Sequence, residues 1–220
     1  RIISNFGAGG GTDNATRPYL DKVSKILGQQ IVIDNKGGAS GAIGIEAAIK
    51  SAHDGYTFLA TPSLSIAIVP HVRKVSYDVF KDLAPVTMHG DGMMMLAVHP
   101  SLPVKTVPQL VALAKARPGE LNYASTSPGS SNHLSGELLK SLAGINIVRV
   151  TYKGAGSAIN ALMGGEVQLM FPSYGSVKGH IAQRRMRALA MTSPKPSALA
   201  PEMPTMASAG LPGYESISYT

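Results

Sequence analysis

Asn5-Phe6-Gly7-Ala8-Gly9-Gly10-Gly11-Thr12-Asp13 follows the apolar run Arg1-Ile2-Ile3-Ser4 and leads into a helical pattern that ends at Leu27. A strand, a glycine-rich turn and a helix in that order form a corner that binds something. The turn exposes backbone N–H groups, and a helix starting at Thr12 or Asp13 adds the positive end of its dipole, so an anion is the expected guest. The dinucleotide fingerprint is absent, because with Gly7 and Gly9 as its first glycines it needs a third at position 12, where Thr12 stands. No Gly-Lys-Ser/Thr follows either, which excludes a P-loop.

Outward from this corner, short apolar runs alternate with longer helical patterns. Strands are expected at 2–4, 31–34, 57–60, 94–98, 122–124, 147–150, 168–171 and 187–191, and helices at 12–27, 41–51, 107–116, 131–142, 155–163 and 174–184. That alternation is the signature of an α/β fold, and the brevity of the strands points to buried parallel pairing. Gly28 and Gly144 supply helix stops. His99-Pro100-Ser101-Leu102-Pro103 interrupts the pattern after a strongly apolar strand, so residues 1–98 are expected to form one α/β unit and 99–216 a second. The proline-rich stretch 194–204 reads as a surface loop.

Composition narrows the class. The 220 residues are 44% hydrophobic and 15% charged, which is a globular composition with room for a full core. No apolar run approaches the roughly 20 residues of a membrane-spanning helix. The absence of cysteine removes disulfides, thiolate metal sites and cysteine nucleophiles, and suits an oxidising compartment. The net charge of +7 is scattered except in Lys178-Gly179-His180-Ile181-Ala182-Gln183-Arg184-Arg185-Met186-Arg187. A solvated helix end is favoured there over a phosphate patch, and no aromatic platform accompanies it, so no nucleic-acid partner is expected.

The second unit repeats the opening corner: a strand at 121–124, then Ser125-Thr126-Ser127-Pro128-Gly129-Ser130-Ser131-Asn132-His133, then an amphipathic helix. Hydroxyls at Ser125, Thr126, Ser130 and Ser131 can donate to a carboxylate, and Gly129 allows close backbone approach. Alone, such a segment is more simply a turn and a cap. Two such corners, each near the start of an α/β unit, favour a shared ligand, for which Phe6, Ala8, Gly9, Gly10, Thr12 and Asp13 would form the other wall. Ser63, in Thr61-Pro62-Ser63-Leu64-Ser65, either faces that ligand or caps a helix. Ser173 and Tyr174, in Phe171-Pro172-Ser173-Tyr174-Gly175, offer a further wall with two hydroxyls.

No catalytic set stands out. The six histidines show no metal-ligand spacing, and there is no His-Glu-x-x-His, so no metal and no cofactor are expected. His133 lies one turn into a helix behind the serine corner, where it can orient a ligand, act as a base or simply be a hydrogen-bonded helix residue. Gly129-Ser130-Ser131-Asn132-His133 does not supply the Gly-x-Ser-x-Gly elbow of a serine hydrolase. An enzyme using His133 on a carboxylate is the alternative to a binding protein. A ligand-sensing domain of a transcription regulator is disfavoured by the lack of a helix-turn-helix pattern.

Seven motifs in order resemble the Bug, or tripartite tricarboxylate transporter receptor, family of bacterial periplasmic solute-binding proteins. They are Phe6-Gly7-Ala8-Gly9-Gly10-Gly11-Thr12-Asp13, Asp54-Gly55-Tyr56-Thr57, His99-Pro100-Ser101-Leu102-Pro103-Val104-Lys105, Ser130-Ser131-Asn132-His133-Leu134-Ser135-Gly136-Glu137-Leu138, Tyr152-Lys153-Gly154, Arg187-Ala188-Leu189-Ala190-Met191-Thr192-Ser193 and Gly210-Leu211-Pro212-Gly213-Tyr214-Glu215.

The resemblance implies a type II periplasmic-binding-protein-like fold of two α/β domains with a closing ligand cleft. It also implies a monomer that holds a small mono- or dicarboxylate, aromatic ones included, and integral-membrane permease subunits as partners. A periplasmic location, with any signal peptide removed before Arg1, goes with it. It further implies that residues 217–220 begin a crossing back to a first domain completed beyond Thr220. Two departures stand out: Asn5 occupies a common proline position, and Phe171-Pro172-Ser173 replaces a frequent Phe-Asp-Ser, which makes an amino-acid ligand less expected.

Overall fold

The computed structural model describes residues 1–9, 11–88 and 90–219. The chain divides into two compact units, one formed by Arg1–Gly92 with the strand Ser218–Tyr219, the other by Met93–Ile217.

In the first unit β1 (Ile2–Ser4), α1 (Gly11–Leu27), β2 (Ile33–Asn35), α2 (Ala42–Ile49) and β3 (Phe58–Ala60) follow one another, then three short helices, α3 (Ser63–Ala67), α4 (Val69–Val72) and α5 (Val79–Asp82), and β4 (Asp91–Gly92). The sheet order is β2-β1-β3, all parallel, with Ile2 paired to Ile33 on one side and Phe58 on the other. Parallel neighbours bring the carboxyl ends of all three strands to one edge, where Asn5 donates to Thr61 and Asn35 to the Phe6 carbonyl. The apolar centre is small: Ala42, Ile45 and Tyr77 are buried, with Ile49, Leu59 and Leu83 packed around them. A turn of 3-10 helix, Ala39–Gly41, enters α2 with positive φ at Ala39 (49°) and Ser40 (58°), a left-handed backbone that costs non-glycine residues about 1–2 kcal/mol each.

The second unit contains β5 (Met95–Val98), α6 (Val107–Ala116), β6 (Asn122–Ser125), α7 (Ser131–Ala143), β7 (Val148–Thr151), α8 (Ala155–Met163), β8 (Leu169–Met170), α9 (Tyr174–Ala182) and β9 (Arg187–Met191). Ser218–Tyr219, β10, then pairs antiparallel with β4 in the first unit. The five-stranded order is β7-β6-β8-β5-β9. Successive side chains along the buried strand β5 and the residue before it point to opposite faces: Met94, Leu96 and Val98 join one apolar layer, Met95 and Ala97 the other. Burying each such leucine or valine contributes roughly 1.5–3 kcal/mol.

Two sequence expectations are corrected here. The pairing is not all parallel, since β5 runs antiparallel to both β8 and β9. A strand buried on both faces has the same apolar run whichever way its neighbours point, so residues 93–98 carry no sign of direction. The 94–98 strand also belongs to the second unit, not the first, because the chain crosses at Gly92 rather than at the prolines.

The proline segment is instead an internal loop, fastened by Arg187. Its Nη1 donates to the carbonyls of Leu102 (3.1 Å) and Val104 (2.8 Å), and its Nη2 to that of Pro100 (3.4 Å). The basic run 178–187 thus ends in a packing arginine, while α9 stops at Ala182 and Arg184 turns the chain with φ 58°.

Candidate functional site

The first corner leaves β1 at Ser4 and enters α1 at Gly11. Asp13, almost fully buried, is its organising group. The carboxylate accepts from the backbone N–H of Gly9 (Oδ2, 2.9 Å), from Arg17 Nε (Oδ2, 2.8 Å) and from Asn35 Nδ2 (Oδ1, 3.2 Å). Burial pushes its pKa up, but the Arg17, Gly9 and Asn35 hydrogen bonds outweigh this and hold it below the usual carboxylate value. Asn35 also donates to the carbonyl of Phe6 at 3.0 Å, and Asn14 to that of Gly9 at 3.0 Å. One N–H of the expected anion nest is therefore taken by an internal anion, which assigns Asp13 a place in the frame. Of the other candidates, Ala8 is exposed, Phe6 half-buried and Thr12 buried, while Gly10 lies outside the described residues.

The second corner leaves β6 at Ser125 and enters α7 at Ser131. Asn132 gathers three donors on Oδ1: the N–H and hydroxyl of Thr126, each at 3.2 Å, and the hydroxyl of Ser130 at 2.6 Å. Ser130 is the N-cap residue, yet with its hydroxyl turned to Asn132 it makes no capping bond to the start of α7. Gly129 donates its N–H to His133 Nδ1 at 2.9 Å. A backbone amide can only donate, so Nδ1 accepts, and in the neutral ring Nε2 carries the proton. Burial lowers the His133 pKa; among its charged neighbours Arg149 lowers it, Glu137 raises it and Lys140 lowers it. No hydrogen bond joins His133 to a serine hydroxyl among the described residues.

Each unit also brings a second strand end beside its corner. Ser63 follows β3, the parallel neighbour of β1, and its hydroxyl accepts from the Tyr219 N–H at 3.4 Å; as the first helical residue it is not a cap. Ser173 follows β8, the parallel neighbour of β6, and shares a hydrogen bond with Ser176, while the Tyr174 hydroxyl donates to the Leu199 carbonyl at 3.2 Å.

Sequence reasoning noted Asn5 only as a departure from a common proline position and not as a site residue; its side chain is fully buried between the corner and the start of α2. Its Nδ2 donates to Thr61 Oγ1 at 2.9 Å, and its Oδ1 has no partner within the described residues. Sequence reasoning passed over Asn35 and Asn132, which arrange the two corners. Their only signal was an asparagine next to a strand or helix end, which also fits an ordinary turn. Among the described residues no group of three His, Asp or Glu side chains can hold a metal ion, and no helix is long and apolar enough to cross a membrane.

The chain as a whole is similar to known proteins. The chain is 37% identical over 219 residues to Protein BugT of Bordetella pertussis, covering 97% of this chain and 66% of BugT. It therefore spans just under two thirds of that relative's length. The structure of R. palustris Rpa4515 with adipate superposes with a TM-score of 0.91 at 34% identity, covering 99% of this chain and 73% of that one. MatC (Rpa3494) of Rhodopseudomonas palustris, with bound malate, gives 0.89 at 26% identity, covering 99% and 74%. Two-domain periplasmic binding proteins of this kind share the α/β fold described above. The description of the tripartite tricarboxylate transporter family receptor matches residues 16–220, and the chain belongs to that family.

Proposed function

We propose that this chain is the solute-binding receptor of a tripartite tricarboxylate-type transporter, working in the periplasm and delivering a small organic carboxylate to integral-membrane permease subunits. The observation that carries the reading is the start of α7. A helix N-terminus at the carboxyl end of a parallel strand pair, whose N-cap residue Ser130 makes no capping bond, offers backbone donors and a positive dipole end to a carboxylate. In the other unit, the start of α1 at Gly11 is a second helix N-terminus following a strand, with the Gly9 N–H held by Asp13. Family membership supports the same reading, as do the adipate and malate in two similar structures.

Phe6, Ala8, Gly9, Thr12 and Ser63 in the first unit, and Ser125, Thr126, Gly129, Ser130, Ser131, Ser173 and Tyr174 in the second, are the residues proposed to meet the ligand, with Asp13 and His133 holding their turns. Pro172 puts no charge beside Ser173 to meet an ammonium group, which favours carboxylic acids over amino acids. Titration calorimetry of the protein with adipate, malate, other mono- and dicarboxylates, and acidic amino acids tests this. Saturable binding of a simple carboxylate is expected; a panel with no binder would overturn the reading.

A further inference from the structure

The two corners share one device on opposite chemical footing. In each, a glycine in the left-handed region donates its backbone N–H to the side chain four residues on: Gly9 (φ 74°) to Asp13 and Gly129 (φ 78°) to His133, both at 2.9 Å. Both acceptors sit in the first turn of the helix that follows, so each bond closes the turn against the helix it feeds. The Asp13 carboxylate has further donors in Arg17 and Asn35 and remains an acceptor in moderate acid. The His133 ring accepts at Nδ1 only while neutral. A proton added there turns the acceptor into a second donor facing the Gly129 N–H, and the bond is lost.

We infer that His133 is a positioning residue, a latch whose neutral ring holds Gly129 and the 125–131 turn in ligand-binding shape, and whose protonation opens that turn while Asp13 keeps its counterpart closed. The inference rests on the reading of this turn as part of the carboxylate site. The charged groups that act on the ring are Arg149 from β7 and Glu137 and Lys140 from α7. Burial and Arg149 weigh against the imidazolium more than Glu137 favours it, so the latch opens on the acid side of 6.5. The ring is half-buried and ties a left-handed glycine at a helix start.

The test follows the Gly129 and Gly9 amides by nuclear magnetic resonance in the full chain, from about pH 7.5 to about pH 5. The Gly129 signal is expected to move with the His133 ring titration. Its hydrogen exchange, corrected for the intrinsic pH effect, should rise about tenfold, the loss of one hydrogen bond. Gly9 should not respond. His133→Asn, which keeps a non-titrating acceptor, should remove the Gly129 response, and His133→Ala should leave Gly129 unprotected at every pH. A Gly129 amide indifferent to the ring titration would overturn the latch even if neither variant folded.

In a second arm, adipate and malate binding is measured across the same range. Wild-type affinity should fall several-fold more than that of His133→Asn, which corrects for protonation of the ligand itself. Identical pH profiles would overturn the positioning role. Failure of every form to bind any carboxylate would strike the receptor reading, and the amide arm would then decide the latch by itself.

Discussion

The hydroxyl of Tyr123 donates to Oε1 of Glu137 at 2.7 Å, and Gly136, next to Glu137, is what lets helix α7 come close enough for that bond. A Cβ on Gly136 would lie 2.3 Å from Cε2 of the Tyr123 ring, and that ring is wholly buried in the sheet. Lys140 completes the arrangement by donating to both Glu137 oxygens at 3.0 Å. The motif that runs from Ser130 to Leu138 therefore joins the second strand-to-helix corner to a packing contact. The helix whose first turn forms the corner is seated by its second.

Gly136→Ala should destabilise the second unit by about 2–3 kcal/mol, since the added methyl meets an aromatic ring that has no free volume to enter. Urea denaturation checks this. A lower midpoint at unchanged slope is expected, and an unchanged midpoint would mean that the ring yields.

Arg187→Leu should free the 99–105 loop. Three carbonyls lose a charged donor, at a cost of about 2–3 kcal/mol, and the loop should become the first site of proteolytic cleavage. Arg187→Lys should recover only part of the loss, because one ammonium does not reproduce the planar fork that reaches Pro100, Leu102 and Val104 together.

Gly7 and Gly9 form an internal control. A Cβ at either would meet nothing within 4 Å, but only Gly9 has positive φ. Gly9→Ala should cost about 1–2 kcal/mol from backbone strain alone. Gly7→Ala should stay within about 0.5 kcal/mol of the parent in the same thermal or chemical unfolding experiment. Equal effects would show that space rather than dihedral angle governs the corner.

Asp13 sets an acid limit on stability. Its native pKa lies below the unfolded value of 3.8, so between the two the unfolded chain holds more protons. The carboxylate's contribution is complete above 3.8 and is lost as pH falls through the lower native value. Unfolding free energies from about pH 6 to about pH 2.5 should show this limb in the parent and a flatter one in Asp13→Asn, whose amide oxygen still accepts from Gly9. His133 has a lowered native pKa too, so its contribution has the same sign in a higher window, lost as pH falls below 6.5.

Much of the element map was legible beforehand, because it rests on local chemistry. The helices Val107–Ala116 and Ala155–Met163 and the strand Arg187–Met191 end where the periodicity ends, and Gly144 caps α7 in the left-handed conformation, φ 60°. The two corners were legible for the same reason, as glycine and hydroxyl residues between a strand and a helix. What those hydroxyls and amides do was not legible. Tyr174 bonds to Leu199 and Asn35 to Phe6 and Asp13, partners 22 to 29 residues distant or so, whose proximity comes from strand pairing.

By itself the sequence determined the α/β class, the two strand-to-helix corners and, through seven ordered motifs, the receptor family. These depend on residues adjacent along the chain, where backbone preference and side-chain period act directly. Only the tertiary structure decided that residues 93–98 belong to the second sheet, that β5 runs antiparallel to its neighbours, and that Asp13 fills part of the nest expected for a ligand. Each of those depends on which groups meet across the fold. An apolar strand is equally satisfied by a parallel or an antiparallel neighbour, and a buried N–H by an internal acceptor or a bound one. In the glycine corner the fold supplies an anion from within, the Asp13 carboxylate that accepts from Gly9.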